Sequence, residues 1–273
     1  MGPLPTDSPH SLPSNLMRHF AYVVFPFLLL AANLASADDW PMWRRDAARS
    51  AESHEELPND LHPLWVRELP KLKPAFRTKR LQFDACYEPV VLGKSMFIGS
   101  SFNDSVTAYD TETGRERWKF YTEGPVRFAP VAWQERVFVG SDDGHVYCLN
   151  AVDGTLQWKL KAVPSNRRVL GNGRLISLWP VRGGLALQDG KLYFAAGVWS
   201  FEGVFVYCVD AATGEVIWRN DESGHVYGVH PHGAEAFGGV TPQGYLVVNG
   251  DDLVVPCGQA YPATFDLATG KLK

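Results

Sequence analysis

The segment between residues 163 and 184 concentrates side chains suited to binding an anionic group. It contains four arginines and no acidic residue, and a guanidinium presents planar N–H donors that match carboxylate and phosphate oxygens. An alternative stays open, in which the arginines pair with acids of neighbouring loops such as Glu202, Asp221 and Glu222. The candidate ligand-binding face comprises Arg167, Arg168, Asn172, Arg174, Trp179, Arg182 and Glu202.

Three histidines in a second segment are of a metal-ligating type. His225, His230 and His232 lie within eight residues, and imidazole groups are common ligands of transition metals. Their spacing matches no structural zinc pattern. We therefore predict no metal site and retain these histidines only as candidates.

Residues for covalent catalysis do not form a recognisable set. The sequence has no C-x-x-C-H, G-x-S-x-G or H-E-x-x-H motif. Asn103 with Asp104, and Asp142 with Asp143, lie in short loops where such residues are typical of turns. No catalytic residue is assigned, and whether the protein is an enzyme stays open.

A repeated motif must position these loops. Each copy has an Asp or Asn followed four residues later by Gly, and three copies add a Trp after four more residues. The acid or amide is expected to hold a turn, the glycine to take a positive φ, and the Trp to fill the space between neighbouring sheets. The motif residues are Asp110, Gly114, Trp118, Asn150, Gly154, Trp158, Asp210, Gly214, Trp218, Asp266 and Gly270.

Four short β-rich runs, here called strands A to D, make up each repeat. Such a sheet cannot bury both faces alone, so several must pack side by side, and four-stranded units of roughly 40 residues are typical of propeller blades. The sequence therefore predicts an all-β protein, a β-propeller of four-stranded antiparallel blades. Four repeats are visible, at about 89–120, 129–160, 184–219 and 243–273.

Two of the four cysteines occupy equivalent places in successive repeats. Cys148 and Cys208 each follow Val-Tyr, at the position that Ala108 takes in the first repeat. A site shared by Ala and Cys predicts a small buried strand position with a free thiol. The pairing state of Cys86 and Cys257 is left open.

The A-x-D-x-x-T-G-x-x-x-W pattern resembles the repeat of PQQ-like (pyrroloquinoline quinone-type) β-propellers. These occur in bacterial quinoprotein alcohol dehydrogenases and in the outer-membrane assembly lipoprotein, and the resemblance covers roughly residues 39–273. For the dehydrogenases it implies a quinone and a Ca²⁺ ion at the propeller centre, held by Asp, Glu and Asn, often against two adjacent cysteines. This sequence has no adjacent cysteines. No cofactor is assigned, and the quinone with Ca²⁺ is kept as an alternative.

The N-terminus has the features of an export signal. An apolar run of 13 residues, 20–32, follows Arg18 and precedes Ala35-Ser36-Ala37. This pattern predicts a signal peptide at 1–37 cleaved after Ala37, with Met17 as the true start. The mature protein is then periplasmic or secreted and has no membrane span, because 13 apolar residues are too few to cross a bilayer.

The predicted N-terminal segment, 38–88, contains a D-like strand at Trp65. This strand could complete the last repeat and close a four-bladed ring, or the chain could form an open arc or the front part of a larger propeller; we predict the arc. Insertions at about 162–184 and 220–243 and the elongated loop 198–203 are expected on one face, which is where function usually lies.

The sequence thus predicts an exported binding or scaffold module that acts through an Arg/His-rich loop face on a protein or an anionic small ligand. The alternative is the N-terminal part of a PQQ-dependent alcohol dehydrogenase. A net charge of −4 gives no reason to expect nucleic acid as a partner.

Overall fold

The computed structural model of the protein describes Gly2 and residues 38–75, 84–171, 173–229, 233–257 and 261–273. The predicted leader, apart from Gly2, lies outside the described residues, as do Asn172, His230 and His232.

Two antiparallel sheets form blades 1 and 2, each with its strands side by side in chain order. Blade 1 consists of β1 (Val90–Leu92), β2 (Ser95–Ser100), β3 (Ser105–Asp110) and β4 (Glu116–Tyr121). Blade 2 consists of β5 (Val131–Trp133), β6 (Arg136–Gly140), β7 (His145–Asn150) and β8 (Leu156–Lys161). The first strands of neighbouring blades contact each other at the inner side of the molecule.

Blade 3 contains β11 (Val181–Gln188), β12 (Lys191–Ala196), β13 (Phe205–Asp210) and β14 (Val216–Asn220), and blade 4 contains β18 (Val247–Asn249), β19 (Asp252–Val255) and β20 (Ala263–Asp266). Hairpin 1, formed by β9 (Arg168–Gly171) and β10 (Arg174–Ser177), precedes blade 3. Hairpin 2, formed by β15 (Val226–Val229) and β16 (Glu235–Gly238), precedes blade 4. These sheets confirm the all-β propeller class.

One short strand departs from the predicted repeat boundaries. The sequence assigned 243–273 to the fourth repeat, but β17 (Gly244–Tyr245) pairs in parallel with β11 of blade 3. Glycine makes this possible, because a Cβ at Gly184 would lie 2.5 Å from the Tyr245 ring. Tyr245 therefore lies beside the inner strand of blade 3.

Burial explains the strand sequences. In β3 all but the last residue is buried, because an inner strand contacts a neighbouring blade on both faces, whereas β8 at the outer edge is mostly exposed or half-buried. Cys148 and Cys208 lie on third strands with no exposed surface. Burial raises the pKa of Cys148 to about 12 and that of Cys208 to about 11, so both thiols are protonated at neutral pH.

The motif Trp residues join each blade to the next. The indole N–H of Trp118 donates to the Ala151 carbonyl in the C–D turn of blade 2, at 3.0 Å. Its ring covers Gly154, which has φ of 74° and where a Cβ would lie 2.6 Å from the indole. Trp158 and Trp218 make the equivalent bonds to blades 3 and 4. A D strand therefore docks its Trp on the turn of the following blade.

Trp65 makes the same contact with blade 1. Its indole N–H donates to the Thr111 carbonyl at 2.9 Å, and its ring covers Gly114. Beside β20, the place of a fourth strand is taken by the following chain, where the Lys273 N–H donates to the Thr264 carbonyl at 2.8 Å. Within the described residues, 63–67 do not pair with 261–266. The four blades therefore form an open arc, as predicted.

Residues 39–49, here called the clasp, cross the inner strands of all four blades. Trp40 exchanges two backbone hydrogen bonds with Val91 of β1, and the Pro41 carbonyl accepts one from the Ala132 N–H of β5. The Arg49 guanidinium donates to the Leu185 carbonyl of β11 at 2.6 Å and to the Leu246 carbonyl before β18 at 2.9 Å. The N-terminal segment thus ties the arc together at its centre.

A buried carboxyl group lies beside the clasp. Glu88 accepts a hydrogen bond from the Tyr245 hydroxyl, which itself accepts one from the Ala129 N–H at 2.7 Å. The Tyr245 ring stacks on Trp43 of the clasp, with centroids 4.1 Å apart. Burial raises the pKa of Glu88 from 4.5 to about 6, although the bond from Tyr245 opposes the shift.

This shift predicts a pH dependence of stability. Between pH 4.5 and about 6 the folded protein keeps a proton on Glu88 that the unfolded chain releases, so this residue's contribution to the unfolding free energy decreases as pH rises. Glu88→Gln retains an acceptor for Tyr245 but does not titrate. In urea unfolding at pH 4.5 and 6.5, the wild type should lose stability relative to this variant. An unchanged difference between the two proteins would refute the assignment, and exposed Glu112→Gln provides the control.

Candidate functional site

The linker that contains hairpin 1 brings the loops of three blades together. The Arg174 guanidinium donates to the Ser101 carbonyl of the B–C loop of blade 1, at 2.8 Å. The Ser177 N–H donates to the Asp142 carbonyl of the corresponding loop of blade 2, at 2.8 Å. The Trp179 indole donates to the Glu202 carbonyl in blade 3, at 2.6 Å. The linker therefore contacts the B–C loops of blades 1, 2 and 3.

Every arginine of the predicted face has an acidic partner. Arg167 lies 3.7 Å from Glu202, and Arg168 lies 3.0 Å from Glu123. Arg174 pairs with Asp104, and Arg182 pairs with Asp142 at 2.6 Å. Of the acids named as possible partners in the sequence, Glu202 pairs with one of these arginines, while Asp221 pairs with Arg219. The positive charge of this face is thus largely balanced within the protein.

A buried ionic network lies beneath this surface. Both Asp142 oxygens accept hydrogen bonds, from Arg182 at 2.6 and 2.8 Å and from Arg127 at 2.6 Å. Arg127 also donates to Asp84 at 2.7 Å, and all four side chains are at most 4% exposed. Burial alone would raise the pKa of Asp142, but Arg182 and Arg127 outweigh it and hold the pKa below its ordinary value.

The sequence interpretation of Asp142 as an ordinary turn residue is therefore incomplete, and the network around it was missed. Asp143 does hold the turn, since it accepts the His145 N–H at 2.8 Å. Arg127 and Asp84 belong to no repeated motif. The two acids that Arg127 contacts, Asp142 and Asp84, lie 15 and 43 residues from it in the chain. No local sequence signal identifies such a network.

An apolar cleft of about 570 Å³ opens above the network. One wall is the inner face of hairpin 1, with Val169 and Ile176, and the opposite wall is the loop at Val198 and Trp199. The two network arginines lie at its deep end. Its rim carries the exposed side chains of Leu170 and Phe201, together with Glu202.

Two further predicted site residues, Trp179 and His225, do not line the cleft. Trp179 is buried beneath the loop and packs edge-on against Phe205. His225 is exposed at the start of hairpin 2. Among the described residues, no three His, Cys, Asp or Glu side chains lie close enough together to hold a metal ion.

The family model described as outer membrane protein assembly factor BamB matches residues 34–177. The chain belongs to this family of PQQ-repeat β-propellers. Two curated relatives are dehydrogenase subunits of quinone-dependent alcohol dehydrogenases. The subunit from Gluconobacter oxydans is 26% identical over 143 residues, which is 48% of this chain and 18% of that protein. The subunit from Gluconacetobacter polyoxogenes is 27% identical over 143 residues, which is 48% of this chain and 19% of that protein.

Solved structures share the fold of this PQQ-repeat chain. Quinohemoprotein alcohol dehydrogenase from Comamonas testosteroni aligns with a TM-score of 0.61 at 20% identity, over 89% of this chain and 41% of that one. A europium-containing methanol dehydrogenase aligns with a TM-score of 0.55 at 16% identity, over 86% and 48%. The aligned region thus spans less than a fifth of the curated relatives' length and less than half of these structures.

The described residues of this PQQ-repeat protein do not fit a Ca²⁺-bound quinone. Ca²⁺ needs six to eight oxygen ligands, but both Asp142 oxygens are bonded to arginines. Asp143 accepts hydrogen bonds from Tyr147 and His145, and Asp104 accepts one from Arg174. Each of these three B–C loop acids therefore has at least one oxygen bonded within the protein, and of the three only Asp104 has a buried oxygen, Oδ1, without a partner.

In the described part of the chain, no helix has the length and apolar character needed to cross a bilayer.

Proposed function

We propose that this chain is an exported binding or scaffold module that acts through the loop face around the cleft. The observation that carries this proposal is the cleft itself, whose walls come from hairpin 1 and the B–C loop of blade 3. Both elements are additions to a regular blade. Concave, mainly apolar sites with few polar groups are typical binding sites.

The charges of the face favour recognition over catalysis. Its arginines are paired with acids, and within the described residues no nucleophile–base pair lines the cleft. The arginines act in this proposal as braces that hold hairpin 1 against three blades. The family description as an assembly factor agrees with a binding role.

Export is part of the proposal. Cleavage after Ala37 would leave Asp38 as the first residue, immediately before the clasp, so that the whole arc remains in the mature protein. N-terminal sequencing of the exported protein tests this; a chain that retains residues 1–37 would contradict a periplasmic or secreted location.

The second candidate is the N-terminal part of a PQQ-dependent alcohol dehydrogenase. The names of the curated relatives and the structural likeness to quinohemoprotein alcohol dehydrogenase favour it. Both Asp142 oxygens are bonded to arginines, which disfavours a quinone site formed by the described residues alone.

Photocrosslinking tests the binding face. A benzoylphenylalanine introduced at exposed Phe201 or Leu170, on the rim, should give a discrete adduct in producing cells, identified by intact mass. The same group at Tyr121, which is 64% exposed on β4 and away from the cleft, is the matched control. Adducts of equal yield at Tyr121, or none at either rim position, would contradict binding at this face.

A further inference from the structure

The chemistry at the deep end of the cleft limits which ligands it suits. The Arg127 side chain is only 2% exposed. Its Nε donates to Asp142, and its Nη1 donates to Asp84 and to the Lys73 carbonyl. The described residues provide no acceptor for Nη2, although Arg127 lines the cleft. A buried guanidinium with an unused donor favours a ligand that brings a hydrogen-bond acceptor.

The local charge balance selects the kind of acceptor. Arg127 and Arg182 are matched by Asp84 and Asp142, so the floor is close to neutral. A carboxylate placed there would add an uncompensated buried negative charge, which is costly. A neutral carbonyl or hydroxyl oxygen can accept a hydrogen bond from Arg127 Nη2 without adding a buried charge.

The size and walls of the cleft define the rest of the ligand. Its volume of about 570 Å³ falls within the range of small-molecule sites, roughly 300–1,000 Å³. The walls are aliphatic, and Trp199 and Phe201 offer aromatic surface at the mouth. This combination suits a compact apolar body better than a long polar chain.

We propose that the cleft binds an uncharged, mainly apolar small molecule whose carbonyl or hydroxyl oxygen accepts a hydrogen bond from Arg127 Nη2. The proposal rests on the proposed binding function and names the ligand class of the same site. It replaces the anionic ligand expected from the count of arginines, because those arginines have acidic partners.

Three naphthalene probes of similar shape test the proposal by calorimetry on the purified protein. 2-Acetylnaphthalene carries a carbonyl, 2-ethylnaphthalene lacks the acceptor, and 2-naphthoate carries a charge. The carbonyl probe should bind about tenfold or more tightly than the ethyl probe, as expected for a hydrogen bond from a charged donor. The naphthoate should bind more weakly than the carbonyl probe. Equal affinity for all three, or tightest binding of the naphthoate, would overturn the proposal.

Variants locate the binding. Phe201→Ala should weaken all three probes, while Tyr121→Ala should weaken none, since both side chains are exposed but only Phe201 lines the cleft. Arg127→Lys, if folded, should remove the preference for the carbonyl probe. Rim crosslinks without probe binding would refute the ligand class and leave the binding face standing. Absence of both would refute the proposed function as well.

Discussion

Replacing Asp142 by alanine is expected to lower the free energy of unfolding by about 3–5 kcal/mol, because it leaves charges buried without a partner. Arg127 and Arg182 both donate to this carboxylate, and each is at most 4% exposed. The stabilisation is present at neutral pH and is lost as pH falls through the lowered pKa of Asp142, below its ordinary value of 3.8. Urea unfolding at pH 7 measures the effect.

An exposed ion pair provides the matched control. Glu112 pairs with Lys94 at 2.8 Å, but both side chains are more than 60% exposed. Glu112→Ala should change stability by less than about 0.5 kcal/mol. If Asp142→Ala is as mild as this control, the network is not buried and the floor of the cleft is different from the one described.

Truncating a motif Trp is the second large effect. Trp118→Ala should cost about 3–5 kcal/mol, because it removes a large buried side chain and leaves a cavity. The lost indole also leaves the Ala151 carbonyl without its 3.0 Å partner. Smaller but still clear losses are expected for Trp158→Ala and Trp218→Ala, because their indoles make the equivalent hydrogen bonds but are only half-buried.

Trp199→Ala is the control for this series, because Trp199 is 37% exposed at the mouth of the cleft and belongs to no motif. Its loss should be clearly smaller. A near-neutral Trp158→Ala would show that the blade register is wrong. Denaturant unfolding of the four variants at one pH compares them directly.

The turns and Trp contacts that recur in every blade can be predicted from the sequence. Asp110 and Gly114 are four residues apart, and their turn depends on local backbone geometry: Asp110 accepts the Thr113 N–H at 2.8 Å, and Gly114 has φ of 67°. Trp118 follows at a fixed distance in the same strand. Local and periodic interactions of this kind leave a pattern in the sequence.

The contacts at the centre of the molecule correspond to no such pattern in the sequence. Arg49 bonds to Leu185 and Leu246, which are 136 and 197 residues away. One of the three arginines in the clasp gives no sign of partners at that separation. The parallel pairing of Tyr245 with blade 3 was missed for the same reason, since it depends on the absence of a side chain at Gly184.

The arginines of residues 163–184 show a different limit. Their number suggested an anionic ligand, and only the three-dimensional arrangement brings Glu123, Asp104 and Asp142 next to them. These acids come from loops of blades 1 and 2, well before hairpin 1 in the chain. Composition gives the charge of a segment, but the net charge of a surface depends on which loops meet there.

As proposed, this chain is a binding module and not a quinone-dependent dehydrogenase. This distinction is tested most directly by adding pyrroloquinoline quinone and Ca²⁺ to the purified protein and following alcohol-dependent dye reduction. We expect no stoichiometric quinone uptake and no dye reduction, because the B–C loop acids are bonded to arginines, Tyr147 and His145. Alcohol-dependent reduction that is lost in a folded Asp142→Asn or Asp143→Asn variant would contradict the binding function and establish the dehydrogenase alternative.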